Sequence, residues 1–255
     1  MGADLGAPPP HAYGPLSALF RDADAAAASA DEIAWYDARL PHDAGPVLDA
    51  MCGVGRRLAP LVTRARNVHG VDASSAMLAR CEAHVTAAGG TARLFKQDLA
   101  ELNLPLRYGA AYVAAGALAR IVDPARMRAA LTLIRSHLVA PGVLLLDLNV
   151  PSESAQRIAA PLVEVRSVAL DDGTRIALRS ETVMNADAHL ARTQSRYVHR
   201  RGSALLAEES ERTAFTWHAP DDLLELVRAA GYRDVEITAS PRATQPSAFA
   251  VVARA

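Results

Sequence analysis

The residues with the clearest chemical meaning lie in the segment PVLDAMCGVGRR, residues 46–57. A short apolar run leads into Asp49, and Gly53 and Gly55 follow at once. Glycine lets a backbone approach a ligand closely, and the free amides at the start of a helix point towards polar ligand groups. The segment therefore predicts a strand, a tight turn and a helix that together bind a nucleotide-like ligand.

Two classes of nucleotide ligand compete for this turn. The dinucleotide fingerprint Gly-x-Gly-x-x-Gly requires a third glycine, but Leu58 stands at that position. The acidic residue also comes earlier in the sequence than in the dinucleotide fingerprint, because Asp49 precedes the turn. A carboxylate there can bind the ammonium group of a ligand that carries an amino acid, so the sequence favours such a ligand over NAD.

The segments around the turn alternate between strand and helix patterns. The strand-like runs are PVLDA, NVHGVD, ARLFKQD, AAYVAAG and GVLLLDLNV, and two short helices are predicted between residues 16 and 40. A helical segment, PARMRAALTLIRSHLVAPG, precedes the last run and ends at a Pro-Gly pair typical of a helix stop. This alternation predicts a parallel sheet with helices on both faces, in which ligands bind at the carboxyl ends of the strands.

The pattern changes to antiparallel strands between residues 162 and 217. Turn residues at 171–173, 185–189 and 199–204 separate the runs and indicate four strands, one face of which is apolar. We predict a tail and helical cap at 1–43, a cofactor-binding core at 44–150 and an insertion at 151–219. The insertion is expected to act as a lid or a dimer interface, and residues 220–255 complete the core.

Three motifs on this scaffold resemble those of the class I S-adenosylmethionine-dependent methyltransferases, and the antiparallel insertion is similar to that of the members that act on small molecules. VLDAMCGVGR is similar to their first motif, Asp/Glu-x-Gly-x-Gly-x-Gly, and VHGVDASSAMLARC and LFKQDL are similar to the motifs of the second and third strands. The resemblance covers residues 44–150 and resumes near residue 218. It implies an α/β fold with a Rossmann-like sheet of seven strands, the last one antiparallel, helices on both faces and an inserted antiparallel β-meander.

The resemblance also implies S-adenosylmethionine as the cofactor and a set of residues that contact it. Asp72 is expected to accept hydrogen bonds from the ribose hydroxyls, and Asp98 is expected to meet the adenine amino group. The full cofactor set comprises Asp49, Met51, Gly53, Gly55, Asp72, Ala73, Met77, Asp98, Leu99 and Ala115.

Met51 departs from the family motif, because it occupies the position of the first glycine. In one interpretation its side chain takes up part of the space of the cofactor's methionine portion. In the other, the flexible and unbranched side chain packs beneath the loop. We favour packing.

Two residues are candidates for a direct part in catalysis. Methyl transfer is an in-line displacement, so positioning and exclusion of water can supply much of the acceleration and a base is optional. His218 follows the insertion and is predicted to line the acceptor pocket, although a hinge or capping role explains it equally well. Tyr13 lies where relatives have a tyrosine that closes over the cofactor; covering the sheet is the alternative.

Composition restricts the partners and the compartment. The chain has 27 basic and 28 acidic side chains and a net charge of -1. No overall positive electrostatic potential is therefore expected to attract nucleic acid or an anionic membrane. The spacing of the eight histidines and two cysteines predicts no metal site and no disulfide framework. No signal peptide or long apolar run is recognised, which predicts a cytoplasmic protein.

The leading hypothesis is methyl transfer from S-adenosylmethionine to an oxygen or nitrogen atom of a small metabolite, within secondary metabolism. A homodimer formed through the insertion is one interpretation of its alternating strands. Two other functions stay open. One is an enzyme that uses the same cofactor for cyclisation or elimination, and the other is a non-catalytic partner subunit with the methyltransferase fold.

Overall fold

A computed structural model describes residues 13–24, 28–242 and 247–255. The predicted tail lies almost entirely outside these residues. The helices are α1 (Pro15–Asp24), α2 (Ala30–Asp37), α3 (Leu58–Thr63), α4 (Ser75–Ala87), α5 (Pro124–Ser136), α6 (Glu153–Gln156) and α7 (Pro220–Ala229), with 3₁₀ helices at Leu99–Glu101 and Ala117–Arg120. The strands are β1 (Val47–Ala50), β2 (Val68–Asp72), β3 (Leu94–Lys96), β4 (Tyr108–Val113), β5 (Leu138–Asn149), β6 (Leu162–Ala169), β7 (Arg175–Asn185), β8 (Leu190–Arg201), β9 (Ala204–Thr216), β10 (Arg233–Ala239) and β11 (Ala248–Arg254).

The central sheet has seven strands in the order β10-β11-β5-β4-β1-β2-β3. The pairs β1–β2, β1–β4, β2–β3 and β4–β5 are parallel, whereas β11 is antiparallel to both of its neighbours. Strands β2 and β3 lie on one side of β1, and β4 and β5 lie on the other. Sheets of this kind bind ligands in the crevice where the strand order switches sides, which here is formed by the carboxyl ends of β1, β2 and β4. The predicted fold class is confirmed.

Helices cover both faces of this sheet because its strands are apolar on both sides. Leu48 points into a core shared with α5 and α7, and the preceding Val47 points into a core shared with α2, α3 and α4. Both side chains are almost fully buried. Burial on both faces accounts for the continuous apolar runs that were recognised as strands.

One local prediction is wrong. The Pro-Gly pair at residues 141–142 does not stop a helix: α5 ends at Ser136, and the pair lies inside β5. The register between β4 and β5 shifts between the pairs Tyr108–Leu138 and Ala110–Val143, which leaves an irregular stretch that contains the pair. Proline cannot donate a ladder hydrogen bond, so this irregularity is where a strand tolerates it.

The insertion is a separate antiparallel sheet of four strands in the order β6-β7-β8-β9. One face is apolar, as predicted, and packs against α1. Phe20 of α1 lies edge-on to Tyr197 at 5.6 Å, and Ile176 and Leu178 complete the contact. On the opposite face, Val163 and Val165 of β6 are exposed to solvent.

Polar contacts also hold α1 in place. The carboxylate of Glu209 on β9 accepts hydrogen bonds from the backbone amides of Leu16 (2.9 Å) and Ser17 (3.0 Å) at the first turn of α1. On the other side of the helix, Asp22 forms ion pairs with Arg80 of α4. The helix α1 therefore connects the insertion to the helix that follows β2.

Candidate active site

The turn after β1 has a left-handed backbone at three positions. Met51, Gly53 and Gly55 have φ angles of +67°, +55° and +81°. The Cys52 amide donates to Val71 O at 2.9 Å, and the Gly55 amide donates to Cys52 O at 3.0 Å. The turn is thereby anchored to β2 and closed on itself.

The two glycines face different surroundings. A Cβ atom on Gly55 would lie 2.5 Å from Cys81 Sγ in α4, so Gly55 lets the turn pack against that helix. A Cβ atom on Gly53 would meet nothing within 4 Å. Gly53 therefore borders open space at the carboxyl end of β1, where a ligand can approach the backbone.

Asp72 links this turn to the next helix. Its Oδ2 accepts from the Gly53 amide at 3.0 Å, and its Oδ1 accepts from the Ser74 amide at 2.9 Å. Ser74 in turn caps α4, and the half-buried Ala73 lies between Asp72 and Ser74. The carboxylate is thus held at the edge of the open space beside Gly53.

The residues after β3 form a third wall. Asp98 caps a 3₁₀ helix through the Ala100 amide at 2.8 Å and forms a salt bridge to Arg126 of α5 at 2.9 Å. The neighbouring Leu99 is 3% exposed and belongs to the core shared with α5. An acidic group and a buried apolar group therefore stand side by side after β3.

The loop after β4 is shaped by a buried acid that the sequence analysis did not include. Asp147 of β5 accepts the Ala115 amide at 3.1 Å, and its backbone oxygen accepts the Gly116 amide at 2.7 Å. Its carboxylate also binds Ser240 at 2.8 Å and Arg242 at 2.8 Å. Ala115, with a φ angle of +54°, is thereby held exposed at the end of β4.

Buried polar side chains surround Asp49. The Asp49 side chain is 3% exposed, and burial raises its pKa to about 7, against the opposing effects of the Tyr112 hydroxyl and of Arg57. The rings of Tyr36 and Tyr112 lie 5.0 Å apart, and the Tyr36 hydroxyl is buried without a hydrogen-bond partner among the described residues. Buried polar groups are usually satisfied, so the Tyr36 hydroxyl and the Asp49 carboxyl group fit a polar ligand group such as an ammonium.

Sequence reasoning missed Tyr36 and Tyr112. Tyr112 is paired with Asp49 across β1 and β4, and Tyr36 comes from α2 on the same face of the sheet. The large side chain of Tyr112 among the small residues of AAYVAAG is a signal that could have identified it. The position of Tyr36 depends on how α2 docks, which the sequence does not encode locally.

Tyr13 contacts the start of α4 through its backbone. Its carbonyl oxygen accepts a hydrogen bond from Ser74 Oγ at 2.7 Å, two residues after Asp72. The guanidinium group of Arg21 lies 4.4 Å from the centre of its ring, and that of Arg120 lies 5.6 Å away. The segment that contains Tyr13 therefore crosses the start of α4.

The predicted residues divide into three groups. At the carboxyl ends of the neighbouring strands β1, β2 and β4 stand Asp49, Met51, Gly53, Gly55, Asp72, Ala73 and Ala115, and Asp98 and Leu99 follow β3. Met77 is buried in a small cluster with Ala18 and Val54, next to Tyr13. His218 lies elsewhere, in a cavity beside the start of α5.

The Met51 side chain packs against the core that β1 shares with α5. This contact supports the packing interpretation, because a side chain directed into the core does not fill the space beside Gly53. Its left-handed backbone explains the family preference for glycine: a residue with a Cβ atom is strained there by about 1–2 kcal/mol.

We expect Met51→Gly to change cofactor affinity by less than about twofold. The loss of apolar burial, about 1–2 kcal/mol, opposes the relief of strain, so the free energy of unfolding should change by no more than about 1 kcal/mol. Calorimetric titration and urea unfolding measure the two quantities. An affinity gain of about tenfold or more would show instead that the side chain obstructs the cofactor.

The comparisons with known proteins agree with this geometry. Residues 47–142 match the model of the methyltransferase domain family. No curated protein matches the sequence significantly. Among the described residues, no helix is long and apolar enough to cross a membrane, and no group of three or more His, Cys, Asp or Glu side chains is arranged to hold a metal ion.

Solved structures share the fold along almost the whole chain. An S-adenosylmethionine-dependent methyltransferase from Clostridium acetobutylicum is 16% identical, with a TM-score of 0.73 and coverage of 92% of this chain and 96% of its own. The sugar N-methyltransferase KedS8 from Streptoalloteichus is 23% identical, with a TM-score of 0.73 and coverage of 100% and 99%. CalS10, an amino pentose methyltransferase from Micromonospora echinaspora, is 24% identical, with a TM-score of 0.66 and coverage of 93% and 95%.

The family match coincides with the strands that carry the turn, Asp72 and Asp98. It confirms the predicted methyltransferase class for this domain. The chain thus contains a methyltransferase domain over residues 47–142, within a fold that it shares with solved S-adenosylmethionine-dependent methyltransferases and with a four-stranded antiparallel sheet inserted after its fifth strand.

Proposed function

We propose that this protein transfers a methyl group from S-adenosylmethionine to a nitrogen or oxygen atom of a small metabolite. The observation that carries the proposal is the open space beside Gly53, bordered by the carboxylate of Asp72 and by the exposed Ala115. A backbone position without a Cβ atom at Gly53, an acid for the ribose and a separate buried acid for an ammonium group match the parts of this cofactor.

The residues present fit the cofactor in the order of its parts. Asp49, with the hydroxyls of Tyr36 and Tyr112, would hold the amino-acid end, and Asp72 would hold the ribose. Asp98 and Leu99 would hold the adenine. When bound, the cofactor supplies a methyl group on a positively charged sulfur atom that is a good leaving group.

The protein's contribution to the reaction is positioning and exclusion of water. In this proposal, α1 and Tyr13 form a lid that closes the site, and the insertion holds this lid in place. The contacts of Glu209 with the first turn of α1 and of Ser74 with Tyr13 favour this role. Tyr13 would then border the acceptor rather than remove its proton.

The first acceptors to test are amino sugars. CalS10 and KedS8, which share the fold, are described as an amino pentose methyltransferase and a sugar N-methyltransferase. A neutral amine is a ready nucleophile for a sulfonium methyl group, so no strong base is required in the site.

Product analysis tests the proposed function. The protein is incubated with S-adenosylmethionine and a panel of amino sugars and hydroxylated metabolites, and products are identified by mass spectrometry. The proposal expects S-adenosylhomocysteine together with an acceptor that has gained one methyl group. A product without an added methyl group would support the cyclisation or elimination alternative, and cofactor binding without turnover of any acceptor would support a non-catalytic role.

We expect cofactor affinity to depend on pH near neutrality. Burial raises the pKa of Asp49 to about 7, so the side chain is largely protonated at pH 6 and ionised at pH 8. The ammonium group of the cofactor favours the carboxylate, so affinity should rise with pH by up to about tenfold over this range. Titrations at several pH values measure the effect.

Asp49→Asn is the matched control for this pH dependence. The variant keeps the side-chain size but has no ionisable group, so its affinity should be lower than that of the unsubstituted protein at pH 8 and nearly constant from pH 6 to 8. An unchanged pH profile in the variant would assign the titration to another group.

Homodimerisation through the insertion stays a prediction. The outer face of the edge strand β6 carries Val163 and Val165, which are 55% and 72% exposed. Exposed valines on an edge strand are compatible with pairing to a second copy. The mass of the protein in solution measured by light scattering tests the prediction.

A further inference from the structure

A cavity of about 240 Å³ lies between the start of α5 and the end of the insertion. Its core-side wall consists of Val122, Pro124 and Met127, and the other wall contains Trp217 and His218. The wall residue Val122 follows the 3₁₀ helix that begins two residues after Ala115, so the cavity adjoins the loop after β4.

The wall formed by the insertion is held rigidly. The backbone oxygen of His189 accepts hydrogen bonds from Thr216 Oγ1 at 2.8 Å and from the Trp217 amide at 3.2 Å. The rings of His189 and Trp217 are stacked, with centroids 5.6 Å apart and an interplanar angle of 21°. The turn between β7 and β8 is thus fastened to the end of β9 and gives the cavity a fixed aromatic side.

Two polar atoms of the residues that line this cavity are unsatisfied. The indole Nε1 of Trp217 and the imidazole Nε2 of His218 are buried and have no hydrogen-bond partner among the described residues. Trp217 as a whole is only 3% exposed. Buried polar atoms without a partner are uncommon in folded proteins, so two such atoms on residues that line one cavity fit a polar ligand group.

The chemistry of the lining restricts that ligand. An indole N–H is a donor only, whereas a neutral imidazole both donates and accepts. Burial lowers the pKa of His218, against the opposing effect of Asp222, so the ring is neutral at pH 7. Val122, Pro124 and Met127 are apolar, and the charged lining residue Asp187 is exposed to solvent. A hydroxyl group on an uncharged ring satisfies both nitrogen atoms and covers the apolar wall.

We infer that this cavity binds an uncharged hydroxylated ring, a sugar or a phenol, that forms part of the methyl acceptor. The inference rests on the proposed function, because it treats the ring and the methylated atom as parts of one molecule. His218 is then a binding residue for the acceptor ring, with Trp217 as its partner.

Trp217 itself reports on binding. The chain has two tryptophans, and Trp35 lies on α2, stacked on Arg39. In a Trp35→Phe variant the emission comes from Trp217 alone. This variant, saturated with S-adenosylhomocysteine, is titrated with methyl α-D-glucopyranoside and separately with 4-methylphenol. We expect a saturable change in emission with one of the two probes, which also identifies the kind of ring.

Substitution of the histidine tests the site directly. His218→Leu should weaken binding of the effective probe at least fivefold, whereas His199→Leu, whose side chain contacts Thr174 outside the cavity, should not change it. The indole N–H resonances in nitrogen-15 spectra of the unsubstituted protein provide a second readout if a variant fails to fold.

The inference is overturned if neither probe shifts the Trp217 emission or its indole resonance. It is also overturned if His218→Leu binds the effective probe as tightly as the unsubstituted protein. Probe binding in a protein that does not bind S-adenosylhomocysteine would leave the cavity established as a ring-binding site and would reject the proposed methyl transfer.

Discussion

Replacing Gly55 with alanine is expected to lower the free energy of unfolding by about 2–5 kcal/mol. The new Cβ atom would lie 2.5 Å from Cys81 Sγ and 3.2 Å from the Cys81 Cα atom, so α4 has to move. The backbone φ angle of +81° adds strain, because alanine rarely adopts this conformation. Urea unfolding followed by circular dichroism measures the change.

Gly53→Ala is the matched control. Gly53 also has a positive φ angle, +55°, but a Cβ atom there meets nothing within 4 Å. We expect it to destabilise the fold by only about 1–2 kcal/mol, the strain alone. Its methyl group projects towards the proposed cofactor space, so cofactor affinity should fall although the protein stays folded. Equal losses of stability in the two variants would contradict the assignment of Gly55 to packing and of Gly53 to the ligand.

The second large effect is expected for Asp72→Ala, which should weaken cofactor binding by about 10- to 150-fold. This corresponds to about 1.5–3 kcal/mol, the contribution of charge-assisted hydrogen bonds to the ribose hydroxyls. The same substitution removes the acceptor for the amides of Gly53 and Ser74, so the turn itself also loosens. Calorimetric titration with S-adenosylhomocysteine measures the affinity.

Two further measurements separate these causes. Asp72→Asn keeps one oxygen acceptor for the backbone and should bind more tightly than Asp72→Ala. Adenosine-free methionine analogues do not reach the ribose position, so their binding should respond only to loosening of the turn. Unchanged affinity of Asp72→Ala for S-adenosylhomocysteine would refute the placement of the ribose.

The sheet and the Gly-x-Gly turn after β1 could be predicted because local sequence signals specify them. Alternating strand and helix patterns, the Gly-x-Gly turn and the acids after β2 and β3 are all contiguous features, and strand order follows from the rules for such folds. The insertion was recognised from turn residues and from the alternation around Ile176 and Leu178, which the structure shows facing α1.

The remaining features depend on contacts between distant segments. Asp147 shapes the loop at Ala115 only because β4 and β5 are neighbours, and Arg242 reaches it across 95 residues. Tyr36 meets Tyr112 through the docking of α2 on the sheet. The Pro-Gly pair inside β5 shows the same limit, since a local helix-stop signal was overridden by strand pairing.

The most direct test of the central claim is calorimetric titration of the purified protein with S-adenosylmethionine and S-adenosylhomocysteine, with NAD as the control ligand. The site described above predicts micromolar binding of both sulfur ligands and no binding of NAD. If neither sulfur ligand binds, the proposed cofactor site is contradicted, and a non-catalytic partner role becomes the favoured function of this chain.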